Sequence, residues 1–333
     1  MNGPNNGSFP IVVIGGSAGS LEPLERIARD LPSDFEAAVF VTTHTPSDSV
    51  SALPHLLSRR GPLFASHALD RAPIAPGRIV IAPPDHHLII SDGVMRVIDG
   101  PTENGSRPSI DVMFRSAAAF GPRTCGVLLS GTLDDGVAGL VAIHEAGGTT
   151  LVQDPGDAYF PEMPQNALNT GSIDRCLPAE AIVGAIESWL ATPHEGKPPP
   201  NVCGLSDERK AGSPSVFTCP DCGGTLWEIE NDATLRFRCR VGHAYSGNSM
   251  LQLQGESLEA SLWSAARALE ERRDLLRRVG RRSGNMQGSR LAERLWRKAD
   301  EVQAEIDRLK EAIAGLSARE SGPVAHEPLN EKL

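Results

Sequence analysis

The sequence predicts an α/β fold, a doubly wound and mainly parallel sheet, followed by a small cysteine-rich unit and a C-terminal helical hairpin. Strand-like and helix-like segments alternate over the N-terminal half, the pattern of a sheet covered on both faces. Further on, Cys219-x2-Cys222 and Cys239-x3-His243 have the spacing of a small metal-held unit of the zinc-ribbon kind. Beyond them, apolar residues recur at steps of three, four and seven through two long segments.

The first unit organises the rest. Ile11, Val12, Val13 and Ile14 form an apolar β-branched run, the composition of a strand buried on both faces. Gly15, Gly16, Ser17 and Gly19 make a turn, and Leu21, Leu24, Ile27 and Ala28 follow at helical spacing. A second strand, Ala37–Thr43, ends in His44-Thr45-Pro46 and leads to a helix over about Ser49–Arg60. A third strand, Arg78–Ala82, runs into Pro83-Pro84-Asp85-His86-His87. A hairpin turns at Ser91-Asp92-Gly93, because Asp-Gly between apolar runs is a strong turn signal. Residues 101–108 read as loop and Ile110–Phe120 as helix. Cys125–Ser130 reads as a buried strand leading into Gly131-Thr132-Leu133-Asp134-Asp135-Gly136, with a helix at Val137–Glu145. Strands at Thr149–Gln153 and Ser172–Cys176 and a helix at Pro178–Leu190 close a domain over 9–192. Residues 193–215 are expected to be a linker, 216–250 the zinc-ribbon-like unit, 255–318 the helical hairpin and 319–333 a disordered tail.

Composition narrows the function. A net charge of −10 argues against general nucleic-acid binding. No apolar run approaches the ~20 residues that cross a bilayer, and the N-terminus lacks the charged and apolar regions of a signal peptide. Six cysteines in 333 residues, three of them between 219 and 239, are no disulfide scaffold. The expectation is a cytoplasmic protein with reduced thiols and no membrane insertion.

The turn after the first strand admits three readings. A dinucleotide loop needs glycines where Ser17 and Ser20 stand, and a phosphate loop needs a G-K-[ST] that does not follow. The third makes Ser17 a nucleophile, held out by flanking glycines and facing N–H groups at the start of a helix. Gly15-x-Ser17-x-Gly19 is a weak signal alone and needs a base and an orienting group. Open α/β sheets bring the C-terminal ends of their strands to one edge, and Ser17, His44 and Asp135 all stand at such ends. That supplies a nucleophile, an imidazole and a carboxylate. His44 could instead be a capping residue and Asp134 or Asp135 a turn former, and Asp85, His86 and His87 also follow a strand.

In sequence order, IGGSAGS (14–20), VTTHTP (41–46), IAPPDHHL (81–88), SRPSIDVMF (106–114), LLSGTLDDGVAGL (128–140) and VQDPGDAYFPEMP (152–164) resemble the catalytic domain of the chemotaxis protein-glutamate methylesterases, the CheB type, over about residues 9–190. The resemblance implies that Ser17 is the nucleophile, His44 the base and Asp135, rather than Asp134, the aspartate. It implies hydrolysis of γ-glutamyl methyl esters on chemoreceptor-like proteins, with release of methanol and with glutamine deamidation as a related activity. No cofactor is needed for that catalysis. Gly16, Ala18 and Ser20 stand where the family usually has alanine, threonine and glycine, and Thr132 and Leu133 replace a methionine and a glycine. Family members often carry an N-terminal receiver domain, and only about ten residues precede the first strand here, so control by such a domain in this chain is not expected. Arg107 and the Pro161–Met163–Pro164 stretch are candidates for shaping the cleft.

In the C-terminal part, Cys219, Cys222, Cys239 and His243 offer the three thiolates and one imidazole of a structural tetrahedral zinc. A metal-free ribbon and a redox dithiol are the alternatives. Leu226–Trp227 and Leu235–Phe237 are expected to be the ribbon's two strands. Residues 272–298 carry ten Arg or Lys against Asp274 and Glu293, either a solvated face or a docking site for an acidic partner or regulator. Joined by a flexible linker spanning roughly 25 Å, the ribbon and hairpin are expected to act as a recruiting module. Cutting the chain near Pro199 is then expected to leave turnover of a small ester unchanged. A catalytically inactive scaffold working through that module is the competing function.

Overall fold

The computed structural model describes residues 9–44, 51–91, 93–194, 212–230, 234–283 and 290–320. The expected loop at Thr45–Pro46, the helix start at Ser49, Asp92 of the hairpin turn, most of the linker, the break near Gly284 and most of the tail lie outside them. The chain divides into one unit up to Leu251 and a second from Gln252.

Strands β1 (Ile11–Gly16), β2 (Ala38–Thr43), β3 (Phe64–His67), β4 (Arg78–Ile81), β7 (Thr124–Leu128), β8 (Thr149–Gln153) and β9 (Arg175–Leu177) form a seven-stranded sheet. Its order is β3-β4-β2-β1-β7-β8-β9, parallel throughout. Between them, β5 (His87–Ser91) and β6 (Val94–Ile98) form a separate antiparallel hairpin.

Successive strand residues face opposite layers, as the two-residue period of a strand requires. Ile11, Val13, Ala38 and Phe40 join one core with Leu88 and Ile90 of the hairpin and residues of α3 (Ile110–Ala118) and α4 (Val137–Glu145). Val12, Ile14, Val39 and Val41 join the other with α1 (Leu21–Asp30), α2 (Leu53–Arg60) and α6 (Ala179–Leu190). A short α5 (Glu162–Asn169) completes the first core through Met163 and Ala167. The chain leaves β1 toward β2 on one side and meets β7 on the other, so the ends of these three strands form the topological switch point where such sheets place their sites.

Two strands of the seven-stranded sheet depart from expectation. β3 is an edge strand of four residues with only Ala65 buried, too short and too exposed to show a clear pattern. β9 begins at Arg175 rather than Ser172 because Asp174 turns back to bond the Thr150 backbone and side chain.

The cysteine-rich region is larger than a two-stranded ribbon. β10 (Ser213–Thr218), β11 (Thr225–Glu230), β12 (Leu235–Cys239) and β13 (Ala244–Ser246) form a four-stranded antiparallel sheet, so the expected linker ends at Gly212. This sheet adheres to the loop at residues 101–108. Glu103 bridges to Ala244, and the Asn104 N–H donates to the Ala244 carbonyl at 2.8 Å.

Two long helices follow, α7 (Gly247–Ser283) and α8 (Arg290–Glu320). Within the second unit, Lys310 pairs with Glu270 at 2.7 Å, Arg273 bonds Gln303 at 2.7 Å, and the Trp296 ring lies against Gly280. No helix among the described residues is long and apolar enough to cross a membrane.

Candidate active site

The sheet ladder sets the first two site residues side by side. Gly16 is in register with Thr43, so Ser17 and His44 are the next residues out on adjacent parallel strands. Ser17 Oγ lies 2.9 Å from His44 Nδ1. The Ser17 N–H donates to the Ser130 carbonyl at 2.9 Å, which ties the turn after β1 to the end of β7. Gly19 adopts φ +73°, and a Cβ there would press on Ser130 and Tyr159, so both the conformation and the space call for glycine.

His44 Nε2 lies 2.7 Å from Asp135 Oδ2. The imidazole therefore turns Nδ1 to the serine and Nε2 to the carboxylate. Asp135 is 2 % exposed and accepts from four other groups. Oδ2 takes the Ile110 N–H at 2.7 Å; Oδ1 takes the Ser109 hydroxyl at 2.8 Å, the Asp111 N–H at 3.2 Å and the Asn104 amide at 3.0 Å. Burial alone would raise its pKa. The bonds and charge from His44, with those from Ile110 and Asn104, outweigh burial and hold it down to about 2. Its seat at the first turn of α3 adds the favourable end of the helix dipole.

Asp111 has the opposite balance. Fully buried and close to Asp135, its carboxyl is pushed up to about 7 by burial first and by the Asp135 charge second. It accepts N–H groups of Gly136 and Gly139 and the Asn104 amide at 3.1, 2.7 and 3.0 Å.

The competing residues have other partners. His87 accepts the Ser109 N–H at Nδ1 and meets the Pro101 carbonyl at Nε2, and burial lowers its pKa, so it stays a neutral prop beneath α3. His86 sits between the Pro84 carbonyl and Asp99. Asp134 receives the hydroxyls of Ser246 and Ser249 at 2.6 and 3.2 Å and does not reach the imidazole. Arg107 clamps Asp85 and the Gly100 carbonyl rather than lining the cleft. Met163 packs under Gly131 behind Ser17.

A cleft of about 310 Å³ opens over the serine, lined by Ser17, Gly19, Thr43, His44, Ser51 and Leu53 among others. No described residue accepts the Ala18 or Gly19 N–H, as it does the Ser17 and Ser20 N–H groups.

The model of the CheB methylesterase family matches residues 12–186. The chain belongs to the CheB methylesterase family. It is 38 % identical over 177 residues to protein-glutamate methylesterase/protein-glutamine glutaminase 2 of Anaeromyxobacter dehalogenans, covering 53 % of this chain and 52 % of that protein. It is 34 % identical over 184 residues to protein-glutamate methylesterase FrzG of Myxococcus xanthus, covering 55 % of each. The crystal structure of the Thermotoga maritima CheB methylesterase catalytic domain superposes with a TM-score of 0.52 at 30 % identity, covering 55 % of this chain and 98 % of that one. The chain thus spans about half the length of the curated relatives it matches. The family match stops before the cysteine-rich sheet.

In that sheet Cys219, Cys222, Cys239 and His243 converge, their ligand atoms all within 4.8 Å of one another. Cys222 and Cys239 sulfurs are 3.7 Å apart, and His243 Nδ1 lies 3.6 Å from the Cys219 sulfur and 3.5 Å from the Cys239 sulfur. Tetrahedral zinc with Zn–S of ~2.3 Å and Zn–N of ~2.0–2.1 Å puts those edges at about 3.8 and 3.5 Å. The side-chain set fits such an ion in chemistry, and these three edges fit it in spacing.

Sequence reasoning passed over Asn104, Ser109 and Asp111. Asn104 lies in the loop 101–108, which carries no strand or helix pattern, and Ser109 and Asp111 stand at the start of α3, where the helical pattern does not say that they face Asp135.

Proposed function

We propose that this chain is a serine hydrolase that demethylates glutamate 5-O-methyl esters on chemoreceptor-like proteins in a chemotaxis-type pathway, and that it deamidates glutamine by the same acyl chemistry. The observation that carries the reading is the unbroken relay from Ser17 Oγ through His44 to Asp135, 2.9 and 2.7 Å, at the sheet's switch point. In this reading Ser17 Oγ attacks the ester carbonyl while His44 Nδ1 takes its proton. Asp135 holds Nε2–H and balances the imidazolium. The Ala18 and Gly19 N–H groups receive the oxyanion. His44 returns the proton to the departing methoxide, which leaves as methanol. Water, deprotonated by His44, then cleaves the acyl-enzyme and restores Ser17 with a free glutamate. For glutamine the leaving group is ammonia.

We also assign structural zinc to the Cys219, Cys222, Cys239 and His243 set, making the sheet a zinc ribbon, and read α7 and α8 as a hairpin whose basic stretch docks an acidic partner. The protein is taken to work in the cytoplasm. A retired scaffold would have no need of five donors arranged around one carboxylate. Methanol release from methylated receptor membranes tests the reading: the wild-type chain should release it, and Ser17→Ala should lower the rate by several orders of magnitude. Equal rates would refute it. Reversal of charge at Arg281 and Arg282 should slow receptor demethylation and spare a small ester if the basic stretch docks the substrate.

A further inference from the structure

The zinc-ligand set and the catalytic carboxylate are joined by one short loop. Cys239 and His243 form the turn that connects β12 to β13, closed by the Cys239 N–H donating to the His243 carbonyl at 2.9 Å. Both sides of the ligand set touch residues 101–104. Thr102 Oγ1 donates to Asp221 Oδ2 at 2.6 Å, beside Cys222, and Gly242, beside His243, lies so close to Pro101 that an added Cβ would be 3.0 Å from its ring. One residue past the turn, the Ala244 N–H donates to the Thr102 carbonyl, and its carbonyl accepts the Asn104 N–H.

Glu103 locks the same loop from below. Only 3 % exposed, it lies 2.6 Å from Arg115 of α3 and 3.6 Å from each of Arg236 and Arg238 of β12. The two strands that carry those arginines and Ser246 are the two that the ligand turn ties together.

The chain of contacts ends on the site. The Ser246 N–H donates to Asn104 Oδ1 at 2.8 Å, which fixes the amide so that Nδ2 points at Asp111 Oδ2 and Asp135 Oδ1, 3.0 Å from each. Asn104 holds a left-handed backbone, φ +52°, a conformation that asparagine tolerates better than most residues and that needs support from its surroundings. That support is supplied by β13.

We propose that Asn104 is a positioning residue for Asp135 and that zinc at Cys219, Cys222, Cys239 and His243 sets its position, so that metal occupancy governs turnover at Ser17. The ribbon is thus part of the hydrolase rather than a tethered recruiting module, and cutting near Pro199 lowers small-ester turnover, opposite to the sequence-based expectation. The inference rests on the proposed esterase activity and zinc site.

The test uses the full chain, zinc as the metal, and p-nitrophenyl acetate as substrate. Purified protein should hold about one zinc. Chelation should lower kcat about tenfold with KM unchanged, the equivalent of one hydrogen bond to a charged group, and added zinc should restore it. Asn104→Ala should keep its zinc, show the same lowered kcat at unchanged KM, and lose less than about twofold more on chelation, the non-additivity of two changes acting through one contact. A merely structural loop residue would give additive losses or a changed KM. A zinc-bearing chain whose kcat survives removal of the metal overturns the coupling, as does wild-type kcat in Asn104→Ala. A chain that takes up no zinc overturns the metal assignment and the coupling with it. Hydrolysis undiminished in Ser17→Ala overturns the esterase reading instead. If chelation precipitates the protein, Asn104→Ala decides alone.

Discussion

Oδ2 of Asp135 accepts the Ile110 N–H at 2.7 Å, so the carboxylate that holds His44 is itself seated on the first turn of α3. Both of its oxygens face donors only, which leaves no orientation in which an amide could replace it without turning an NH2 toward an N–H or O–H. Asp135→Asn should therefore lower kcat by about 10⁴-fold, the loss that follows when a triad imidazole is held in the wrong tautomer. Asp134→Asn, whose partners are the Ser246 and Ser249 hydroxyls, should stay within about tenfold of wild type. Steady-state kinetics on one small ester compares them; matched losses would mean that the two aspartates share the work.

Gly131 should not tolerate alanine. Its added Cβ would run into the Met163 side chain and lie 2.9 Å from Ser17 Cβ. Overpacking of this kind costs about 1–3 kcal/mol, and here it also displaces Ser17. Thermal melting and ester hydrolysis should both decline; an active, wild-type-stable Gly131→Ala chain would show that the turn after β7 yields freely.

Glu103→Gln should destabilise the first unit by about 3–5 kcal/mol, as loss of one partner does in a buried ion cluster. The carboxylate is 3 % exposed and faces Arg115, Arg236 and Arg238, all of which keep their charge when it is gone. Denaturant unfolding gives the figure, and a change below about 1 kcal/mol would place the cluster among weak, solvent-screened pairs.

Stability should carry the mark of Asp111. Its carboxyl is raised to about 7 in the folded chain, against ~3.9 for an unfolded aspartate. Between those values the folded state binds a proton that the unfolded state has lost, so this group's contribution is full below about pH 4 and falls away as pH rises through 7. Asp135, lowered to about 2, acts the other way: its contribution is present above about pH 4 and lost as pH falls toward 2. Melting temperatures of wild type and Asp111→Asn between pH 4 and 8 should show the wild-type advantage shrinking as pH rises. A constant gap would mean that Asp111 does not titrate in that range.

Part of the site was legible because Ser17 and His44 each directly follow an apolar run with the composition of a buried strand. Ser17 after IVVIGG and His44 after AVFVTT needed no knowledge of loops, only that parallel strands end together. Choosing Asp135 over Asp134 needed family resemblance, since both sit in the same turn and local pattern does not say which one faces the imidazole. Asn104 and Asp111 were out of reach for a different reason: their partners lie 31 and 25 residues away in Asp135 and Gly136, and Asn104 depends on Ser246, 142 residues on. Among the strands, β10 was hidden in the linker because its residues are mostly exposed. β13 is three residues long and becomes a strand only because the Cys239–His243 turn delivers it to β12.

The register of Gly16 with Thr43 has a consequence for how this protein could diversify. Ser17 and His44, the proposed nucleophile and base, directly follow neighbouring rungs of one ladder, so no change in a surrounding loop alters their spacing unless the sheet itself slips, and a slip of one residue would exchange the two core layers. The walls of the cleft are under no such constraint: Ser51 and Leu53 belong to the entry of α2, and Tyr159 stands 82 % exposed beside Gly19. Insertions and substitutions there would be filtered only by what fits over the serine. Copies of this gene would therefore drift first in the substrates they accept, while the chemistry passes from copy to copy unaltered.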